Sequence, residues 1–193
     1  MLLLVLGLVL FLGLHSVRAW GEPLRTSALV RLGEGPWKGL YSLLSVVGLI
    51  LIVWGYGEAR LNPKVLWVLP VGARHTGTLL TLFAFICLSA AYLPPTYLKA
   101  RVGHPMVLGT GLWAAGHLLA NGTLADLFLF GGFLAWSVVL YVASRQRDRK
   151  EGRSPSTPAG VGMDLVAVGV GSAAWAVFAF ALHAWLFGVA PFG

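Results

Sequence analysis

Residues 104–123 read HPMVLGTGLWAAGHLLANGT and form one apolar segment between two turn signals. Pro105 suits a first helical turn, because the N–H group that proline lacks would have no partner there. Asn121 and Gly122 tolerate the left-handed backbone conformation that often ends a helix. The stretch therefore predicts an apolar helix from Pro105 to Ala120, with a histidine near its far end.

This predicted helix carries a stripe of small and flat side chains beside His117. The stripe recurs at spacings of three or four residues and consists of Gly109, Trp113, Gly116 and Ala120. Small residues at such spacings let another helix, or a flat ligand, approach the backbone closely. We therefore expect His117, Trp113 and Gly116 to line a cofactor site.

The composition of the 193-residue chain is that of an integral membrane protein. Hydrophobic residues make up 58% and charged residues only 11%, with a mean hydropathy of +0.80, whereas soluble domains are about 25% charged. Six apolar segments are long enough, or nearly so, to cross a bilayer as helices. They lie at residues 2–17, 40–56, 66–93, 105–120, 124–143 and 161–189. The sequence thus predicts an all-α polytopic bundle of about six transmembrane helices in one domain, 1–193.

The net charge of +7 fits a membrane protein better than a nucleic-acid-binding protein, because the basic residues are scattered among the apolar segments. Eleven of the fourteen Lys and Arg residues fall in the first, third and fifth loops. The positive-inside rule places those loops in the cytoplasm and both termini on the other side. The first segment lacks a preceding positive charge, which favours a retained helix over a signal peptide. Residues 145–160 are polar, basic and rich in Ser, Pro and Gly, which predicts a flexible cytoplasmic linker.

Histidines are the candidate chemical groups of the chain. All five lie in or at the edge of an apolar segment: His15, His75, His104, His117 and His183. Ionisable groups are costly there and are a functional hypothesis by default. Imidazoles on helices facing a bundle interior commonly hold haem, and the alternative is hydrogen bonding between helices. The sequence contains no H-E-x-x-H or C-x-x-C motif for zinc, and the single cysteine, Cys87, has no partner.

Two further charged features have simpler interpretations. Asp126 and Asp164 sit at predicted helix starts, where a carboxylate compensates the helix dipole. Arg31 and Lys38 flank a turn and helix entry, and the functional alternative for them is an anion or partner site.

Several motifs, in this order and spacing, resemble the NnrU family of bacterial membrane proteins. They are His15-Ser16, RLGEGPWKGLYS at 31–42, AYLPP at 91–95, HPM at 104–106 and HLLANG at 117–122. The family is named for its association with nitrite and nitric oxide reduction in denitrifying bacteria. It is similar to zeta-carotene isomerase, a membrane enzyme with haem b.

Carried over by motif, the resemblance implies haem b and its iron held by His15 and His117. His104 would be the non-ligating histidine of the His-Pro pair. Ala114 stands where the isomerase has a cysteine, which leaves ligand switching by a thiol without support in this chain.

The predicted topology raises a question of depth for that ligand pair. His15 falls near the cytoplasmic end of its helix and His117 near the outer end, whereas one haem needs both axial ligands at the same depth. On depth alone, the pairs would be His15 with His104, or His117 with His75 or His183.

Three functions follow as expectations. The first is a haem protein of the bacterial inner membrane that serves nitrogen-oxide metabolism and meets nitric oxide. The second is a haem-dependent isomerase of a hydrophobic polyene such as a carotenoid. The third is a helper for assembly or transport without catalysis. The spacing of Gly169 and Ala173 would also suit a helix-mediated homo-oligomer in the lipid bilayer.

Overall fold

The computed structural model describes residues 1–154 and 156–192, apart from the side chain of Arg18. Within them the chain forms eight helices and no β-strand, with one isolated bridge between Val65 and Thr123. The helices are α1 (Leu2–Trp20), α2 (Glu22–Leu32), α3 (Glu34–Leu61), α4 (Val71–Tyr92), α5 (Tyr97–Val102), α6 (Pro105–Ala120), α7 (Leu124–Lys150) and α8 (Val161–Phe187). The predicted all-α membrane fold is confirmed.

Four of these helices are long and apolar enough to cross a membrane: α3, α4, α7 and α8. Helix α1 is apolar but bends by 83° into α2, so the pair is a bent fifth candidate. Helix α6 has 16 residues, which is about 24 Å of helix and slightly short of the hydrocarbon thickness. All six predicted segments are therefore helical, and four satisfy the criteria for a span on their own.

The structure changes several predicted boundaries, and α4 begins at Val71, directly after Pro70, and not at residue 66. Helix α3 begins at Glu34 and not near residue 40, since an acidic residue in the first turn compensates the helix dipole. Glu34 also pairs with Lys38 at 2.6 Å, one turn later. Helix α7 continues to Lys150, so residues 145–150 of the predicted linker are helical. Arg, Gln and Lys are good helix formers, and cations in a last turn complement the helix dipole. The linker shrinks to residues 151–160.

The six long helices pack side by side in the order α3, α1, α7, α6, α4, α8. The predicted antiparallel hairpin is present, since α6 and α7 are neighbours joined by only three residues. At one end of the row, the last turns of α8 lie near α3, where the Arg60 guanidinium is 3.5 Å from the Phe187 carbonyl oxygen. The far edges of the row thus approach each other at that end.

The small residues of α6 pack against helix α4. A Cβ built on Gly116 would lie 2.7 Å from the Gly77 carbonyl oxygen, and one on Gly109 would lie 2.9 Å from the Ala84 carbonyl oxygen. The stripe therefore serves close helix packing. In α8, Gly171 packs against Ile86, whereas a Cβ on Gly169 would meet nothing within 4 Å among the described residues.

Both aspartates at helix starts do more than compensate a dipole. Asp126 completes a capping box with Thr123 and also accepts a 2.6 Å hydrogen bond from the Tyr56 hydroxyl, which ties α7 to α3. Asp164 lies in the first turn of α8 and accepts the backbone N–H groups of Tyr97 and Leu98 at 2.9 Å. It therefore caps α5 across the bundle.

Candidate functional site

His117 lies in the last turn of α6 with aromatic rings on two sides. Phe130 stacks on it with ring centres 4.6 Å apart, and Trp113 lies 4.9 Å away, as its one-turn spacing predicts. The Nδ1–H group donates to the Trp113 carbonyl at 2.8 Å. That bond leaves Nε2 as the nitrogen with a free lone pair, which is the arrangement usual for histidines that ligate metals.

His183 is the histidine that the fold brings next to His117. The two ring centres are 6.5 Å apart and their planes are 24° from parallel. Its Nδ1–H group donates to the Val189 carbonyl at 2.7 Å, so its Nε2, like that of His117, carries a lone pair. His183 comes from α8, two helices away from α6 in the row. This pair is one of the alternatives that the depth argument left open.

Two π-helical turns flank this pair of histidines. One covers Leu127–Gly131 and carries Phe130, which stacks on His117. The other covers Phe178–Leu182 and ends directly before His183. A π-turn inserts an extra residue into a helix and redirects the side chains around it, and such turns are frequent at functional sites. The coincidence of both turns at one place marks this place as the candidate site.

His15 lies in a different part of the bundle. Its Nδ1–H group donates to the Phe11 carbonyl at 2.7 Å, and its ring lies 5.6 Å from that of Tyr41. A series of rings separates it from His117: Phe11 contacts Phe133 at 6.1 Å, Phe133 contacts Trp113 at 5.6 Å, and Trp113 contacts His117. The structure does not bring the ligand pair implied by the resemblance together.

The remaining histidines have other surroundings. His104 pairs through Nε2 with Asp148 at 2.8 Å and meets the edge of the Tyr141 ring, which joins the start of α6 to the end of α7. Its Nε2 is thus engaged by a carboxylate. His75 is exposed in the second turn of α4. Neither is in ring contact with another histidine in the described part of the chain.

The other two predicted site residues, Trp113 and Gly116, differ in whether they contact His117. Trp113 lies against His117 and forms part of its wall. Gly116 faces α4 and contacts Gly77, so it supports the helix and does not line the space around His117. Sequence reasoning missed Phe130, although the tight α6–α7 hairpin places the first turns of α7 beside the last turns of α6.

The ligand set of this site is small. Among the described residues, no group of three or more His, Cys, Asp and Glu side chains is arranged to hold a metal ion. Two imidazoles suit a cofactor that brings most of its own ligands, such as haem, whose porphyrin leaves two axial positions for the protein.

The comparisons place the chain in a family. The family model described as NnrU protein matches residues 3–191. No curated protein and no solved structure matches the chain. Because the match covers nearly the whole sequence, the chain belongs to the NnrU family.

Proposed function

We propose that this NnrU-family protein binds haem b in the bacterial inner membrane and serves nitrite and nitric oxide metabolism, and that His117 and His183 would hold the haem iron. The observation that carries the proposal is the pairing of these two rings, 6.5 Å apart and nearly parallel. Imidazole nitrogens bind first-row metals at about 2 Å, so two rings on opposite sides of one ion have centres on the order of 6 Å apart.

The chain's own groups would hold both imidazoles in the ligating tautomer. The Trp113 and Val189 carbonyl oxygens accept the Nδ1–H groups, which orients each ring and leaves its Nε2 as the ligating nitrogen. Phe130 and Trp113 supply an apolar surface beside His117. Proteins set the reduction potential of a haem partly through apolar surroundings and restricted solvent access.

When bound, haem would supply one-electron transfer and a site for a gas such as nitric oxide. Of the two residues that would hold it, His183 lies near the exposed end of α8, whereas His117 is enclosed by the α6–α7 hairpin.

Absorption spectra of the purified protein, oxidised and dithionite-reduced, test the proposal with three alanine variants and one control. We expect a Soret band with sharp reduced α and β bands in the wild type. His117→Ala abolishes or shifts these bands, His183→Ala converts a six-coordinate spectrum to five-coordinate, and His15→Ala leaves them unchanged. His75→Ala is the matched control, since His75 is exposed.

Two outcomes would overturn parts of this proposal. A colourless protein from haem-replete cells would contradict haem binding and favour the alternative of a non-catalytic helper for assembly or transport. Loss of the bands in His15→Ala but not in His183→Ala restores the pair implied by the resemblance, which requires the three intervening aromatic rings to move.

Adding a cis-polyene to the loaded protein tests the isomerase alternative: an unchanged six-coordinate spectrum with no isomerised product counts against it.

A further inference from the structure

The second site that the fold builds is a cavity around His15, at the junction of α1, α2 and α3. Its volume is about 350 Å³, and its polar lining comes from six residues: His15, Arg25, Trp37, Lys38, Tyr41 and Ser42. The remaining lining residues are Leu14 and Val17, so none of the described residues that line the cavity is acidic. Two cations and the hydroxyl groups of Tyr41 and Ser42 form a surface that favours an anion.

Each of the two cations forms an ion pair with a glutamate and can still bind a ligand. Arg25 pairs with Glu22 at 2.8 Å and Lys38 pairs with Glu34 at 2.6 Å, each within one helix. The side chains of Lys38 and Glu34 are more than 70% exposed. Exposed ion pairs of this kind contribute little free energy, so a bound anion can share the cations.

The cavity lies where the helices pass from polar to apolar sequence. Along α3, Glu34 and Lys38 precede an apolar run that begins at Leu40, and α2 turns away from α1 by 83°. Trp37 and Tyr41 stand at this transition with ring centres 6.4 Å apart. Tryptophan and tyrosine typically lie at the level of the lipid headgroups. The cavity is therefore at a membrane–water interface.

An apolar surface continues from the cavity along α3. Val46, Leu49 and Val53 follow Ser42 at four, seven and eleven residues, so they lie on the same face of the helix. All three are about half exposed or more. A ligand with its anionic group in the cavity would lay an acyl chain along this face.

We propose that this cavity binds the phosphate of an anionic phospholipid, with Arg25 and Lys38 contacting the phosphate oxygens and the Ser42 hydroxyl donating a further hydrogen bond. Basic pockets between membrane helices recognise anionic headgroups by this chemistry. The assignment places His15 in the wall of a lipid site, separate from the haem of the proposed function. It does not depend on His117 or His183.

Native mass spectrometry of the detergent-purified protein, with phosphatidylglycerol or phosphatidylcholine added, tests the site. The variant is Arg25→Gln/Lys38→Gln. The control is Arg101→Gln/Lys150→Gln, which removes the same charge outside the cavity. We expect one phosphatidylglycerol to be retained by wild type and control, and its affinity to fall roughly tenfold or more in the cavity variant. Phosphatidylcholine is retained weakly by all three proteins.

Three results would overturn the proposal. Equal phosphatidylglycerol binding by the cavity and control variants removes the site. Displacement of the lipid by excess inorganic phosphate assigns the cavity to a soluble anion. Loss of the haem bands in the cavity variant, with the control unaffected, assigns it to the carboxylates of a haem held by His15. Thermal melting of each variant in detergent separates these results from misfolding.

Discussion

At the scale of single residues, the buried polar side chains of the described residues are few, and that of Asp126 joins elements distant in sequence. Asp126 is 4% exposed and accepts hydrogen bonds from the Tyr56 hydroxyl and from the backbone and hydroxyl of Thr123. The sequence predicts only a helix-start carboxylate here. It does not predict the bond to Tyr56, because that partner lies 70 residues away.

We expect Asp126→Ala to destabilise the protein by about 2–3 kcal/mol, because it removes a charged acceptor and leaves the Thr123 N–H and the Tyr56 hydroxyl without it. Tyr56→Phe removes one of these bonds, keeps the capping box, and costs about 1 kcal/mol. The midpoints of thermal unfolding in detergent measure both. Equal losses in the two variants would show that the capping box contributes nothing.

At the scale of helices, prediction succeeds where the chain carries strong boundary signals. Helix α6 begins at Pro105 and ends at Ala120 as its His-Pro entry and Asn-Gly exit predict. Helices α3 and α7 extend beyond their apolar runs, because charged residues with good helix propensity continue the backbone into water. The π-turns at 127–131 and 178–182 have no sequence signal, since they arise from the packing of their neighbours.

The packing of α6 against α4 gives a prediction for Gly116. A Cβ there would press on the Gly77 backbone, which cannot give way as a flexible side chain would. We expect Gly116→Ala to destabilise the protein by about 1–3 kcal/mol through overpacking. Gly169→Ala is the matched control, because its Cβ would enter open space and raise helix propensity. Thermal unfolding of both variants, and the haem spectrum of Gly116→Ala, decide whether Gly116 acts through helix packing.

At the scale of the whole molecule, the fold sorts the connections to two ends as the charge distribution predicts. At one end, the loop after α3 bonds to the α6–α7 turn, where Leu66 donates to the Gly122 carbonyl oxygen, and Arg60 approaches Phe187. At the other end, the 151–160 linker bonds to the segment before α5 through Ala159 and Pro95. The candidate ligand pair, His117 and His183, was harder to predict. The order of the segments along the chain does not show that the outer helices of the row, α3 and α8, approach each other at one end.

This two-ended arrangement predicts which surfaces reagents reach from each side of the membrane. In a Cys87→Ala background, single cysteines at Ser154 and at Phe192 should be labelled from opposite sides by a membrane-impermeant maleimide. Lys64→Cys should behave like the Phe192 position, because the ends of α3 and α8 lie together. The positive-inside rule predicts that Ser154 is labelled from the cytoplasmic side. Labelling of Ser154 and Phe192 positions from one side would mean that α8 does not cross the membrane, and His183 could then not reach the depth of His117.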